Sequence, residues 1–124
     1  MMPTTLLIQV RERALALPGA AEKLSHGSPG FYVLKGRFFG YFWHNHHADG
    51  RTALLVKTSG IEEQALLCEA APNDYFVPPY LGPSGWIGLR LDAREVDWAH
   101  VEHWLAQSWR RAAPAALLRG FDGA

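Results

Sequence analysis

Leu6, Leu7, Val10, Ala14 and Leu17 return at the spacing of one helix face, with Pro3 and Thr4 or Thr5 ahead as start signals and Pro18-Gly19 behind as a stop. The pattern predicts an amphipathic helix of about three turns, with Arg11, Glu12 and Arg13 on its solvated side. From Leu24 the period falls to two. Phe31, Val33, Phe38, Gly40 and Phe42 alternate with Tyr32, Leu34, Phe39, Tyr41 and Trp43, and Lys35-Gly36-Arg37 supplies a tight turn between two strands. Ser28-Pro29-Gly30 reads as a turn, with Leu24 to His26 as a short strand before it. Both faces of the hairpin are apolar, so helices on one side and loops, a ligand or a partner on the other have to cover them. Asp49-Gly50 signals a further hairpin turn, leading into a third strand over Thr52 to Lys57.

Ser59-Gly60-Ile61-Glu62 has the form of a capping box and starts a second helix, which runs through Ala65, Leu66, Leu67 and Cys68 and ends before Pro72. Glu62 and Glu63 suit the positive end of its dipole better than a paired-carboxylate site, because adjacent helical positions do not face each other. Tyr75 to Leu91 is the stiffest stretch: Pro78 and Pro79 fix φ, Gly82 and Gly85 allow positive φ, and an alternating strand follows from Trp86 to Leu91. The pattern is that of a rigid loop delivering a tryptophan onto the end of a sheet. Asp97 then caps a third helix with Trp98, Val101, Leu105, Trp109 and Ala112 along one stripe, and His100 and His103 toward the polar side. Arg110 and Arg111 occupy its last turn, Pro114 ends it, and Ala115 to Leu118 can add one more turn.

At 124 residues with 48% hydrophobic content, the chain has the size of a single domain, residues 1–124. No apolar run approaches the roughly 18 residues of a membrane span, and the lone Cys68 has no disulfide partner within the chain, so a soluble cytoplasmic protein is expected. The formal net charge is zero, but its distribution is uneven. Between residues 24 and 61 stand four basic residues and one acidic one; between 62 and 102 stand two basic and eight acidic. A protein that clamps duplex DNA needs a basic face, and the hairpin region is the place for one.

Candidate chemistry is sparse. The loop Gly82-Pro83-Ser84-Gly85 loses an amide donor at Pro83 and lacks the lysine of a phosphate-binding loop. Ser84 has no predictable base, and His26 beside Ser25 and Ser28 is a lone candidate. His44, Asn45, His46 and His47 lead into the Asp49 turn; His44 and His46 would share a face if the strand continued and are the weak metal-ligand candidates. No catalytic constellation and no cofactor are expected. The binding groups are Tyr80 and Trp86 as flat faces, with Lys35, Arg37, Arg51, Lys57 and Arg90 as cations.

The succession of a helix, LSHGSPGFYVLKGRFFGYF, a hairpin ending in LLVK, a short helix, YFVPPYLGPSGWIGLRL and VDWAHVEHWLAQSW resembles the MmcQ/YjbR family of small bacterial proteins over nearly the whole chain. Its most specific pieces are Pro79-Tyr80-Leu81-Gly82 with Gly85-Trp86, the segment His26 to Phe31, and Ser108-Trp109. The resemblance implies an α+β domain in α-β-β-β-α-β-β-α order, an antiparallel sheet of about five strands with helices packed on it, similar to the type III secretion chaperone-like fold. It also implies a DNA-binding role, which in the family rests on a proposed double-wing shape. Lys35, Arg37 and Lys57 match basic positions common in the family. Pro83-Ser84 stands where the family usually has a basic residue, and Trp109 where it usually has tyrosine. The expectation is a DNA-binding protein that lays the Lys35-Gly36-Arg37 and Asp49-Gly50-Arg51 tips on phosphates beside a groove lined by Tyr80 and Trp86. The alternatives are a dimeric module holding a peptide on its apolar sheet face, as the resembling secretion chaperones do, and a small-molecule domain for an anionic ligand.

Overall fold

The computed structural model describes residues 2–35 and 37–122; Gly36, the centre of the first expected hairpin turn, lies outside them. Pro3 opens α1 (Pro3–Leu15), where its fixed φ and missing N–H cost nothing, and the helix buries Leu6, Val10 and Ala14 as its spacing predicts. The chain then enters β1 (Ala20–Ser25) and β2 (Ser28–Val33).

The turn between these strands is His26-Gly27, both at positive φ (50° and 82°), which is the two-residue primed turn that matches strand twist. The expected turn at Ser28-Pro29-Gly30 is therefore corrected: those residues lie in β2, and the short strand foreseen at Leu24 to His26 begins earlier, at Ala20. Pro29 is tolerated because it pairs with Leu24 beyond the last β3 partner, Gly30 with Tyr41, so its missing N–H breaks no ladder bond. Asparagine adopts the left-handed region at lower cost than histidine. His26→Asn should accordingly raise stability by about 0.5 kcal/mol, read as a higher urea midpoint at unchanged m-value.

β3 (Phe38–His44) and β4 (Thr52–Lys57) complete a four-strand meander. Here the simple alternation fails. Tyr32 pairs with Phe38 and Phe31 with Gly40, leaving Phe39 unpaired as a β-bulge. The extra residue flips the parity. Phe39 joins Phe42 in the main core, whereas Phe38 moves to the opposite face with Tyr41 and Trp43, so the expected grouping of Phe38 with Gly40 and Phe42 does not hold.

The remaining elements are α2 (Ile61–Ala70), β5 (Tyr75–Phe76), β6 (Trp86–Arg90), α3 (Trp98–Ala112) and α4 (Ala115–Asp122). The sheet is antiparallel, in the order β1-β2-β3-β4-β6-β5. It thus has six strands where about five were expected, and α4 is a full two-turn helix rather than one turn. α1 and α3 pack on one face, over a core of Phe31, Phe39, Leu54, Val56, Ile87, Leu105 and the fully buried Trp109. The Trp109 indole N–H donates to Pro18 O at 2.9 Å, and Phe121 of α4 packs on its ring. Asp97 caps α3 as expected, accepting from the His100 N–H.

The start of α2 differs in detail from a capping box. Its N-cap is Gly60; Glu63, not Glu62, reaches back to the Ser59 N–H at 2.8 Å, while the Thr58 hydroxyl accepts from the Gly60 N–H. Among the described residues, no helix is long and apolar enough to cross a membrane.

Candidate functional site

The sheet face away from α1 and α3 carries its own apolar cluster, Trp43, Ala53, Leu55 and Trp86, with Phe38, Tyr41, Phe76 and Leu81 against it. The bulge at Phe39 is what assembles it. Phe38 and Tyr41, three apart, would face opposite ways in a regular strand; here their rings stack at 5.1 Å and 19°, and Tyr41 goes on to meet Trp86 at 5.3 Å. Glycines make room for these rings. A Cβ on Gly30 would come 2.7 Å from the Phe38 ring, and one on Gly88 would come 2.3 Å from Phe76.

The Pro78–Gly85 loop covers one end of this face, and its shape is set by hydrogen bonds that sequence reading missed. Buried Gln64 on α2 donates its side-chain amide to two carbonyls, Gly82 O at 2.8 Å and Trp86 O at 2.7 Å. Buried Thr58 donates to Gly85 O at 2.6 Å by its hydroxyl and at 3.0 Å by its backbone N–H. Gly85 takes the positive φ expected of it (87°), but the second positive φ falls on Tyr80 (66°), not on Gly82, which sits in a 3-10 turn. Tyr80 is held 81% exposed.

Two clefts share this face. One, of about 330 Å³, gathers the side chains of Arg37, Lys57 and Arg111 around Phe38, Tyr41 and Trp86, with no carboxylate among its described lining residues. The other, of about 490 Å³, is walled by Tyr41, Trp43, Tyr80 and Leu81, with Ser25, His26 and His46 at its polar margin. Tyr41 stands in the wall of both. Its hydroxyl is hydrogen-bonded to Ser25, and burial pushes its pKa above the ordinary tyrosine value, that bond drawing it partly back, so it is neutral at physiological pH.

The structure brings together some of the expected residues and separates others. Arg37, Lys57 and Trp86 line one cleft. Trp86 is only 6% exposed, so it offers an edge to the groove and not the open platform that was foreseen. Tyr80 lines the neighbouring cleft. Lys35 is exposed on the β2–β3 connection at φ 61°. Arg51 sits at the other end of β3, over the Phe76 ring at 4.4 Å. Successive turns of a meander lie at opposite ends of the shared strand, so the two cationic tips are about 20 Å apart. Arg90 is drawn away: it pairs with Asp92 at 3.2 Å and lines a cleft with Asp74, Glu95 and Asp97.

Two cations of this face were not foreseen. Lys23 lies over the Tyr32 and Phe38 rings at 5.0 and 5.3 Å. Arg111 lies one turn from Ser108, whose hydroxyl donates to Phe39 O at 2.6 Å and accepts the Lys57 N–H, pinning that face of α3 to the sheet. The signal was present in the i, i+3 spacing of Ser108 and Arg111, but a last-turn arginine is equally explained by the helix dipole. Glu63 approaches Arg111 at 4.0 Å from outside the cleft lining.

The histidine turn does not form a shared ligand face. The chain leaves β3 at Asn45 (φ 50°); His44 Nδ1 bonds Thr52 Oγ1 at 2.9 Å, whereas His46 Nδ1 bonds Ser28 Oγ at 3.0 Å with its ring stacked on Trp43. The imidazole beside Ser28 is thus His46, not His26. The His47 side chain lies outside the described residues, and among the described residues no group of three or more His, Cys, Asp or Glu could hold a metal ion. Burial pushes the Cys68 thiol up, keeping it protonated at neutral pH.

No curated protein matches this chain. Among solved structures, it is similar to the crystal structure of Deinococcus radiodurans protein DR2400, which carries a DUF419 domain: TM-score 0.66, 20% identity, covering 83% of this chain and 75% of that one. At that identity the likeness is one of fold. The YjbR family model matches residues 15–111, most of the α+β domain and all of the aromatic face, from β1 through the Arg111 that closes the cationic cleft. On that match the chain belongs to the YjbR family.

Proposed function

We propose that the protein binds DNA through the cleft lined by Arg37, Lys57 and Arg111 together with the Phe38, Tyr41 and Trp86 rings. The observation that carries this reading is the convergence of three cations from three separate elements, the β2–β3 connection, β4 and α3, on a cleft walled by aromatic rings, with no carboxylate among its described lining residues. Cations gathered beside aromatic rings suit a ligand that alternates phosphate with planar bases. Of the eight acids between residues 62 and 102, Asp92 is occupied with Arg90, Asp74 with Arg94 and Glu102 with Arg13, while Glu63 approaches Arg111 at 4.0 Å from outside the cleft lining. Lys35 and Lys23 extend the cationic margin around the cleft, and Arg51 reaches a separate phosphate beyond the far end of β3.

The alternative of an extended peptide lying on an apolar sheet face has less behind it. That face shows a partner tyrosines and cations, because its indoles, Trp43 and Trp86, are only 8% and 6% exposed. Titration of labelled single-stranded and duplex oligonucleotides across a range of salt tests the reading. Three phosphate contacts predict a slope of log K against log salt of about −2 for a single strand and about −3 for a duplex. Absence of binding at low salt, or binding indifferent to salt, would remove it.

A further inference from the structure

We infer that the apolar cavity on the far side of Tyr41 receives the base of a nucleotide whose phosphate lies in the cationic cleft; the phosphate half rests on the function proposed above. The cavity, about 490 Å³, has room for a base and its sugar. Its walls are the rings of Tyr41, Trp43 and Tyr80, and its polar groups are hydroxyl and imidazole: Ser25, His26 and His46. With no carboxylate, lysine or arginine in the lining, it favours a flat, uncharged ring carrying hydrogen-bonding edges over a cation or a free phosphate. The neighbouring cleft supplies the complementary half. Because the two share Tyr41, a group in one is a single side chain away from a group in the other.

The backbone around the cavity points the same way. Positive φ at residues other than glycine occurs at five described positions, and two of them, His26 (50°) and Tyr80 (66°), line this cavity, with Asn45 (50°) next in the chain to its His46. His26 and Tyr80 are the informative ones, because asparagine or glycine would sit there at lower cost and both residues are exposed. His46 is already fixed, stacked on Trp43 at 4.3 Å and 17° and bonded to Ser28. The cavity therefore has a rigid floor and an exposed tyrosine at its mouth, which is the arrangement that holds a single unpaired base by stacking.

The experiment compares three probes on the wild-type chain and on Tyr80→Ala: a short single-stranded oligonucleotide, a strand of the same length with abasic sugars, and adenosine 5′-monophosphate. The readouts are affinity and the NMR shift of the Trp43 indole N–H. The intact strand should bind at least about tenfold more tightly than the abasic one and shift the Trp43 resonance. Tyr80→Ala should erase that difference while leaving the abasic affinity unchanged. If both strands bind equally and the Trp43 resonance stays still, the base site is overturned and the phosphate reading survives. If the mononucleotide shifts Trp43 in a Tyr80-dependent way but neither strand binds, the site stands as one for free nucleotides and the DNA reading falls. If no probe moves Trp43 or binds, both are overturned.

Discussion

Gln64→Leu should lower the stability of the protein by about 1–3 kcal/mol, because the Trp86 carbonyl loses its side-chain donor, whereas Gly82 O keeps the Gly85 N–H at 2.9 Å, and a buried unsatisfied acceptor costs about that much. Leucine is close to glutamine in volume, so the loss is one of hydrogen bonding and not of packing. The two acceptors, Gly82 O and Trp86 O, stand at either end of the tight turn that carries the loop into β6. Cutting this side-chain bridge should loosen the Pro78–Gly85 loop ahead of the rest of the fold. Urea denaturation measures the total, and amide exchange at Leu81, Gly82 and Gly85 measures the local part. A variant with wild-type stability and wild-type exchange there would show that water replaces the side chain at no cost, and that Gln64 does not hold the loop.

The double charge reversal Arg37→Glu, Lys57→Glu should weaken DNA binding about 100-fold at low salt and flatten the salt slope by about two units, one per phosphate contact removed. The Arg37 side chain is exposed, and Lys57 is held through its backbone N–H, which the substitution leaves in place. Stability should change little. Arg119→Glu, an equal change of charge for one residue on the exposed side of α4, is the control for net charge alone. If the control weakens binding as much per charge as the cleft variant does, the effect is one of overall field and the cleft is not the contact surface. Circular dichroism on both variants separates loss of contact from loss of fold.

The helices were the most legible part of the sequence. The Leu6, Val10, Ala14 spacing of α1 and the Asp97 cap of α3 report on contacts within a few residues, where periodicity and capping chemistry act directly. The strands were legible as apolar runs but not in their facing. The turn at His26-Gly27 was missed because histidine is a poor occupant of a left-handed position, whereas Ser-Pro-Gly nearby carries three residues that favour turns. The two-residue β5 offers too few positions to show a period at all. The change of face at Phe39 is set by how β3 registers against β2, a contact between strands that a run of aromatics cannot announce.

The candidate site was half visible. Arg37, Lys57 and Trp86 were recognisable as cations and a ring near one another in the hairpin and the stiff loop, but Arg111 comes from the other end of the chain and meets them only when α3 docks. Arg90 shows the opposite error. It alternates in phase with Trp86, yet Asp92, two residues on, takes its guanidinium. Gln64 was invisible for a related reason: a polar residue in an amphipathic helix reads as solvated unless the carbonyls it serves are known.

The unpaired Phe39 makes one odd count decide what the outer surface of this protein is. From Phe38 backward and from Gly40 forward, inside and outside are numbered in opposite phase, and the stacked pair exists only across that seam. A relative of the same length whose β3 paired regularly at this point would keep its sheet and its helices, yet send the ring equivalent to Phe38 into the interior and strip Tyr41 of its neighbour. Pairing register at a single strand position, more than the identity of any one aromatic, would then separate chains that present a ring-paved surface from chains of the same fold that do not.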